Sequence, residues 1–518
     1  MGYGNFIIPR FGILRDISQV LNMIAELLLG AQIILLIYFS FFGFYLYLYS
    51  FASLKKVVPR KVKLSGSKVA VVIVAFNEPE VIESTVKACE KLTYKNKTII
   101  VADDSNDKKT YEILKRMAKE RKCKRLRKET FVNHDITHVH ESDDFVVFHR
   151  TTNVGFKAGS LKELESYLKA KGFEYMYLLD AEWWPQKDTL ERCLEVIEAD
   201  DKLAYVQTVR QNYHGKMSLF QRCLALNEDG CYYVDLRGRQ ALGDPILFTG
   251  CCTMFNLTHL MYVVDGFQPG HLTEDIDLTN RFYTEGFKAA FLPDVINKGE
   301  VPPHYRAFRK QQERWTMGSA RTLKEYFWPI IHSDVLTWRE KISLMRQNSY
   351  FTPAIGIECS IILAFFSILL LSAHSDYFQS VQYMYYLQTI APWFNAFLLV
   401  ALCSNFIPPL MTASRQRSHL NFFFIPQATW ISWSLLHTYF LANLKGLFGI
   451  KQGWFKTPKT NRKKSKKGQA MSTRARLASL ATLMLLLWVY VAEWQHLGWV
   501  DIYAFFWVPA LTLSFMAS

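Results

Sequence analysis

Long uncharged apolar runs at both ends of this chain, with a charged, patterned stretch between them, require it to fold partly in lipid and partly in water. The first run, Leu27 to Phe51, covers the roughly 17 to 25 residues a helix needs to cross a hydrocarbon layer about 30 Å thick. Four more follow, at Phe351 to Ser372, Tyr386 to Met411, Ala478 to Trp494 and Ile502 to Met516. Residues 67–325 have the composition of a water-soluble α/β protein. The reading is therefore an N-terminal region with a spanning helix at 1–55, a cytosolic domain at 67–325, and interfacial plus about four spanning helices at 326–518.

The charge pattern sets the orientation. The net charge of +15 is concentrated beside the apolar runs, at Lys55, Lys56, Arg60, Lys61 and Lys63 and again from Lys451 to Lys467. Basic flanks stay on the cytosolic side and meet anionic headgroups. This places residue 55 onward in the cytosol, names membrane lipids as partners, and argues against nucleic acid. Phe422 to Phe448 is apolar too, but it lies between Arg415, Arg417 and the basic segment, so both ends belong to the cytosol and an interfacial helix is expected. The nine cysteines form no C-x-x-C pair, which fits a reducing compartment. The first apolar run is too long for a cleaved signal and reads as a retained anchor, making an integral protein of the plasma membrane.

Within 67–325, short β-branched runs alternate with amphipathic stretches, the pattern of a mostly parallel sheet covered by helices. Val69 to Val74, Thr98 to Ala102 and Tyr175 to Leu179 read as strands and Pro79 to Lys91 as a helix, while 105–150 reads as a helix followed by an insertion. Each strand ends in carboxylates: Asn77-Glu78, Asp103-Asp104-Ser105, and Asp180-Ala181-Glu182. Parallel sheets bind ligands at that edge. Two carboxylates one residue apart can share a divalent cation whose other ligands are phosphate and water. Taken alone, Asp-Asp-Ser after a strand is as readily a turn or a helix cap.

Further along come Asn153 to Gly159 (N-x-G-x-K-A-G), Thr273-Glu274-Asp275, and Gln311-Gln312-Glu313-Arg314-Trp315. These motifs in this order resemble the D, D, D, Q-x-x-R-W signature of the membrane-integrated family 2 glycosyltransferases, which include cellulose, hyaluronan, chitin and mannan synthases. The resemblance covers residues 67–325 and the order of the membrane segments. It implies a GT-A (Rossmann-like) α/β domain inserted between transmembrane helices. It also implies inverting, metal-dependent transfer of a sugar from a nucleotide-sugar donor, a UDP-sugar before a GDP-sugar, to a glycan or lipid-linked acceptor.

Carried onto matching positions, the resemblance implies that Asn77, Glu78, Asp103 and Asp104 hold the nucleoside. Asp180 and Glu182 would bind Mg2+ or Mn2+ at the diphosphate, with Lys157 and Arg314 adding positive charge there. Asp275, beside Glu274, would be the general base, and Gln311 and Trp315 would face the acceptor. Glu182 stands where the family usually has Asp. Trp183 and Trp184 would line the sugar pocket or cover the crevice floor. Phe248 to Thr253 loosely matches an acceptor-facing segment, and its adjacent Cys251 and Cys252 read as packing residues. His138 and His140 read as part of a solvated insertion rather than a metal pair.

Trp454 to Lys459 resembles the F/W-x-V-T-x-K gating loop, with Lys456 at the Val position and Thr457 and Lys459 placed to contact phosphate. It reads equally as a basic loop on lipid headgroups. The leading expectation is processive synthesis of a β-linked polysaccharide with translocation past the membrane helices. A non-processive enzyme acting on a membrane lipid is the alternative. A transporter would need polar residues within the spans, and these are nearly charge-free.

Overall fold

The computed structural model describes residues 10–127, 129–212, 217–372, 399–400, 403–416, 419–450 and 484. The chain enters through α1 (Arg10–Ala52), whose part Ile33–Ala52 is long and apolar enough to cross a membrane by length and composition. After it come β1 (Val69–Ala75), α2 (Ile82–Glu90), β2 (Lys97–Asp103) and α3 (Lys108–Glu120). An edge pair, β3 (Lys124–Arg125) and β4 (Thr137–Glu141), precedes β5 (Phe145–Arg150), α4 (Phe156–Ala170) and β6 (Tyr175–Asp180). The second half of the sheet is built from α5 (Thr189–Ile197), β7 (Leu203–Asn212), α6 (Leu219–Glu228), a π-helical turn at Cys231–Leu236, α7 (Arg237–Leu242), β8 (Thr253–Asn256), α8 (Leu257–Tyr262), α9 (Glu274–Thr284) and β9 (Lys288–Gly299).

These strands form one nine-stranded sheet in the order β3-β4-β5-β2-β1-β6-β8-β7-β9. β5, β2, β1 and β6 run parallel, as do β7 and β9, while β8 is antiparallel to both neighbours. Alternation along β1 divides the core. Val69, Val71 and Ile73 pack with α2 and α5 on one face, and Ala70 and Val72 pack with α4 and α9 on the other. Complete burial of each such side chain contributes roughly 1.5 to 3 kcal/mol.

Two expectations need correcting. Residues 105–150 are not a helix plus insertion: Phe145–Arg150 is a fully buried strand parallel to β2, and it carries β4, with His138 and His140, as a paired edge strand. Its Phe-Val-Val-Phe core was obscured by the charged residues around it. Phe422 to Phe448 is not one helix but a 3-10 turn (His419–Phe424) followed by two short helices with a break at Ser434 and Leu435.

Beyond the sheet lie α10 (Tyr305–His332), α11 (Trp338–Asn348), α12 (Pro353–Ser372), α13 (Ile407–Arg415), α14 (Ile425–Trp433) and α15 (Leu436–Leu447). α12 covers the second expected span, whereas α14 and α15 are each far shorter than the roughly 20 residues a crossing requires. Most of Tyr386 to Met411 and, apart from Met484, the last two runs lie outside the described residues. α1 packs along α12, and α10 along α15. Tyr49 of α1 is fully buried in the sheet domain, donating to Asp244 Oδ2 at 3.0 Å. Nearby, Asp235 joins Arg239 (2.7 Å) and Arg346 (2.6 Å), so α1, α7 and α11 are cross-braced by charge.

Gly299, the last residue of β9, lies against the Trp183 ring, where an added Cβ would fall 2.3 Å from Cε3. Gly299→Ala should force that ring out of place and cost about 1 to 3 kcal/mol. A lower thermal unfolding midpoint, with weaker donor binding, is the expected measurement.

Candidate active site

The parallel strands end at one edge, and the crevice there collects the side chains the sequence singled out. Asp180 closes β6, and its Oδ1 lies 2.5 Å from Lys157 Nζ. The same ammonium donates to the Gly250 carbonyl at 2.6 Å and stands 3.8 Å from Glu274 Oε1. Lys157 reaches this position from the first turn of α4, which starts after Gly155 in the left-handed region (φ 75°). A side chain there would meet Pro269 Cβ at 2.8 Å, which explains the glycine in the N-x-G motif. Burial works against the charge on Lys157, but Asp180 and Glu274 outweigh it and hold the ammonium above its usual pKa.

Glu274 and Asp275 occupy the first turn of α9, where the exposed N–H groups favour carboxylates. Asp275 Oδ1 accepts the Ile276 N–H at 2.9 Å, and its Oδ2 abuts Gly250. Burial pushes both carboxyls above their ordinary pKa values, with Lys157 pulling each back. Arg314 joins the cluster from α10, where burial lowers its pKa while Glu274, Asp275 and Asp180 raise it.

These groups line a cavity of about 580 Å³ together with Glu78, Asp104, Glu182, Gln311 and Trp315. Gln311 Oε1 is buried and without a hydrogen-bond partner among the described residues, whereas its neighbour Gln312 accepts from Tyr439 of α15 at 3.2 Å. Trp183 lies at the cavity floor and is nearly buried against Gly299; Trp184 is outside the lining, its backbone bridged to Lys298. Cys251 and Cys252 are buried packing residues. Thr457 and Lys459 lie outside the described residues.

At the far end of the crevice, two of the expected nucleoside residues are placed elsewhere. Asp103 is fully buried, with Oδ1 accepting from Ser105 and Oδ2 paired to His149 Nδ1 at 2.7 Å, so both its oxygens are committed to the fold. Asn77 clamps the next loop, its Oδ1 accepting the N–H groups of Asn106 and Asp107 at 3.0 Å. Asp104 does face the cavity, held by Arg150 through Nε (2.8 Å) and a terminal nitrogen (2.6 Å) and by Ser160 Oγ (2.9 Å). Burial raises its pKa against those bonds.

Sequence reasoning missed Arg150, because its strand was taken for an insertion, and also Arg210, which closes toward the cavity from β7. The Arg210 guanidinium lies 5.4 Å from the rings of both Trp183 and Tyr232 and donates to the Tyr232 hydroxyl.

Among the described residues no group of three or more His, Cys, Asp and Glu side chains stands ready to hold a metal ion. Asp180 and Glu182 nevertheless offer two hard oxygen donors to one cavity. That set fits a Mg2+ or Mn2+ ion whose remaining ligands are phosphate oxygens and water.

Residues 175–517 match the group described as Glycosyl transferase family group 2, and residues 70–256 match Glycosyl transferase family 2. The chain belongs to the family 2 glycosyltransferases. Its mixed α/β sheet is GT-A-like. Among curated proteins it is 28% identical to glucomannan 4-beta-mannosyltransferase 7 of Arabidopsis thaliana over 52% of this chain and 46% of that protein. It is 24% identical to the probable glucomannan 4-beta-mannosyltransferase 2 of Oryza sativa subsp. japonica over 56% of this chain and 47% of that protein. This glycosyltransferase thus spans about half the length of the curated relatives it matches. A solved mannosyltransferase from Pyrobaculum calidifontis, in complex with GDP-Man and Mn2+, superposes with a TM-score of 0.46 at 17% identity, covering 74% of this chain and 98% of that one.

Removing Arg150 would leave the buried Asp104 carboxylate unpaired. Arg150→Met should cost about 3 to 5 kcal/mol, read as a lower unfolding midpoint, with Arg150→Lys falling between it and wild type because one bond of the fork is lost.

Proposed function

We propose that this glycosyltransferase moves a sugar from a nucleoside diphosphate donor onto a hydroxyl of a β-linked glycan, with inversion at the anomeric carbon. One observation carries the reading: Asp180, Glu274 and Asp275 converge with Lys157 and Arg314 in one cavity, although they come from distant parts of the chain. In this reading Glu78 and Asp104 hold the nucleoside, and Lys157 and Arg314 face the diphosphate. Asp180 and Glu182 carry Mg2+ or Mn2+, which when bound would neutralise charge on the departing nucleotide. Asp275 takes the acceptor proton, and Trp315 and Gln311 position the acceptor sugar. Glu274 keeps Lys157 in place.

The names of the plant relatives specify mannosyl transfer, which runs against the preference for a UDP-sugar and brings GDP-mannose to the front of the donor panel. The cavity continues past the carboxylates to Phe42 and Leu46 of α1, Ile357 of α12 and Trp433 of α14. An apolar, partly aromatic path of this kind supports processive extrusion of the product through the plasma membrane, with domains divided at 1–55, 67–325 and 326–518. It would equally take a lipid-linked acceptor. Supplying the protein in lipid with Mg2+ or Mn2+ and GDP- or UDP-sugars, then sizing the product, separates the two: a ladder of lengths supports the polymer and a single glycolipid the alternative. No transfer from any donor would overturn the proposal.

Asp275→Asn should lower transfer by roughly 10²- to 10⁴-fold while sparing donor binding, whereas Asp180→Asn should weaken metal-dependent donor binding as well. The base must be ionised to act, and burial raises the Asp275 pKa. Activity should therefore rise with pH through an acid limb above the usual aspartate value of about 3.9, checked by the pH dependence of kcat/KM.

A further inference from the structure

We propose that Glu228 is a sugar-hydroxyl-binding residue of the acceptor subsite, on the opposite side of Asp180 from the nucleoside. This rests on the transferase reading above and goes beyond it by naming a residue that no motif marks. Glu228 is the last residue of α6 and lines the same cavity as Asp275, Arg314 and Trp315. Its Oε1 is buried and accepts no hydrogen bond among the described residues.

The adjacent residue provides the contrast. Asp229 is fully buried and satisfied: Oδ1 accepts from the Asn212 backbone (3.1 Å) and side chain (2.8 Å), and Oδ2 accepts from Gln416 at 2.7 Å. It holds β7, α6 and α13 together. Glu228 does no such work. A buried carboxyl oxygen without a donor costs on the order of 1 to 3 kcal/mol, and a ligand hydroxyl is what would offset it.

Strand order says which ligand. Glu78 and Asp104 follow β1 and β2, on one side of β6, while Arg210 and the start of the path to α6 follow β7, on the other. Asp180 lies between. The charge of Arg210 acts on both Glu228 and Asp275, so Glu228 stands on the base's side of the crevice rather than the nucleoside's. Beside it, Asn227 donates to Ser432 of α14 at 2.5 Å, and α6 packs on α14 where the cavity turns toward Trp433. A glycan leaving Asp275 toward the membrane helices passes this carboxyl, which can accept from neighbouring hydroxyls on one sugar ring. Burial pushes its pKa up to about 7, so near neutrality it can also donate.

The test is initial-rate kinetics on the full-length protein in lipid. GDP-mannose and UDP-glucose serve as donors, short β-linked mannan and glucan oligosaccharides as acceptors, and thermal unfolding is measured alongside. Glu228→Leu should raise the acceptor KM about tenfold or more and leave the donor KM in place. Its unfolding midpoint should hold or rise, because an orphaned polar atom is replaced by an apolar group of similar size. Glu228→Gln should recover part of the acceptor affinity. An unchanged acceptor KM in the leucine variant, or a lower midpoint with both KM values raised together, would overturn the inference. Wild-type protein that transfers from neither donor would overturn the transferase reading itself, and this inference with it.

Discussion

The ammonium of Lys157, bonded to Asp180 and the Gly250 carbonyl and close to Glu274, is the contact around which the crevice is arranged. A buried cation without partners would carry a penalty of several kcal/mol, and the carboxylates beside it would suffer the same alone. Held together, they are mutually tolerable. The arrangement ties α4, β6, the loop before β8 and the first turn of α9 to one another, so the local fold and the charge pattern of the site have a common cause. A diphosphate entering this cluster would meet cations already positioned, so little reorganisation remains to be done as charge develops on the leaving oxygen.

A second layer of charge fastens the membrane-side helices to the sheet. Tyr49 of α1 sits within the group formed by Asp244, Asp235, Arg239 and Arg346. On the opposite side, Tyr439 of α15 reaches Gln312 beside Arg314. Helices expected to contact lipid therefore bear on the elements that carry the acceptor-facing side chains. Movement of a glycan past α14 and α15 would be sensed at α10 through these contacts.

Much of the site was legible in the sequence because its residues end strongly apolar runs. Leu178-Leu179-Asp180 shows a buried strand delivering a carboxylate to an edge, and Glu274-Asp275 and Arg314-Trp315 keep their motif spacing. Asp103 and Asp104 show where such reading stops. Adjacent residues at a strand end point to opposite faces, and sequence alone does not say which faces the crevice; the structure turns Asp103 to His149 and Asp104 to the cavity. Arg150 was hidden because its strand is embedded in charged residues. Arg210 and Glu228 were hidden because β7 and α6 carry no spacing that marks chemistry, and only the sheet order brings them beside Asp275.

A structure determined with a bound nucleoside diphosphate and Mn2+ bears most directly on the claim that these side chains form one transferase centre. The account predicts the ion at Asp180 and Glu182, the phosphates against Lys157 and Arg314, and the base next to Asp104. A nucleotide seated elsewhere, with Lys157 still bonded to Asp180 and no ion beside Glu182, would contradict it.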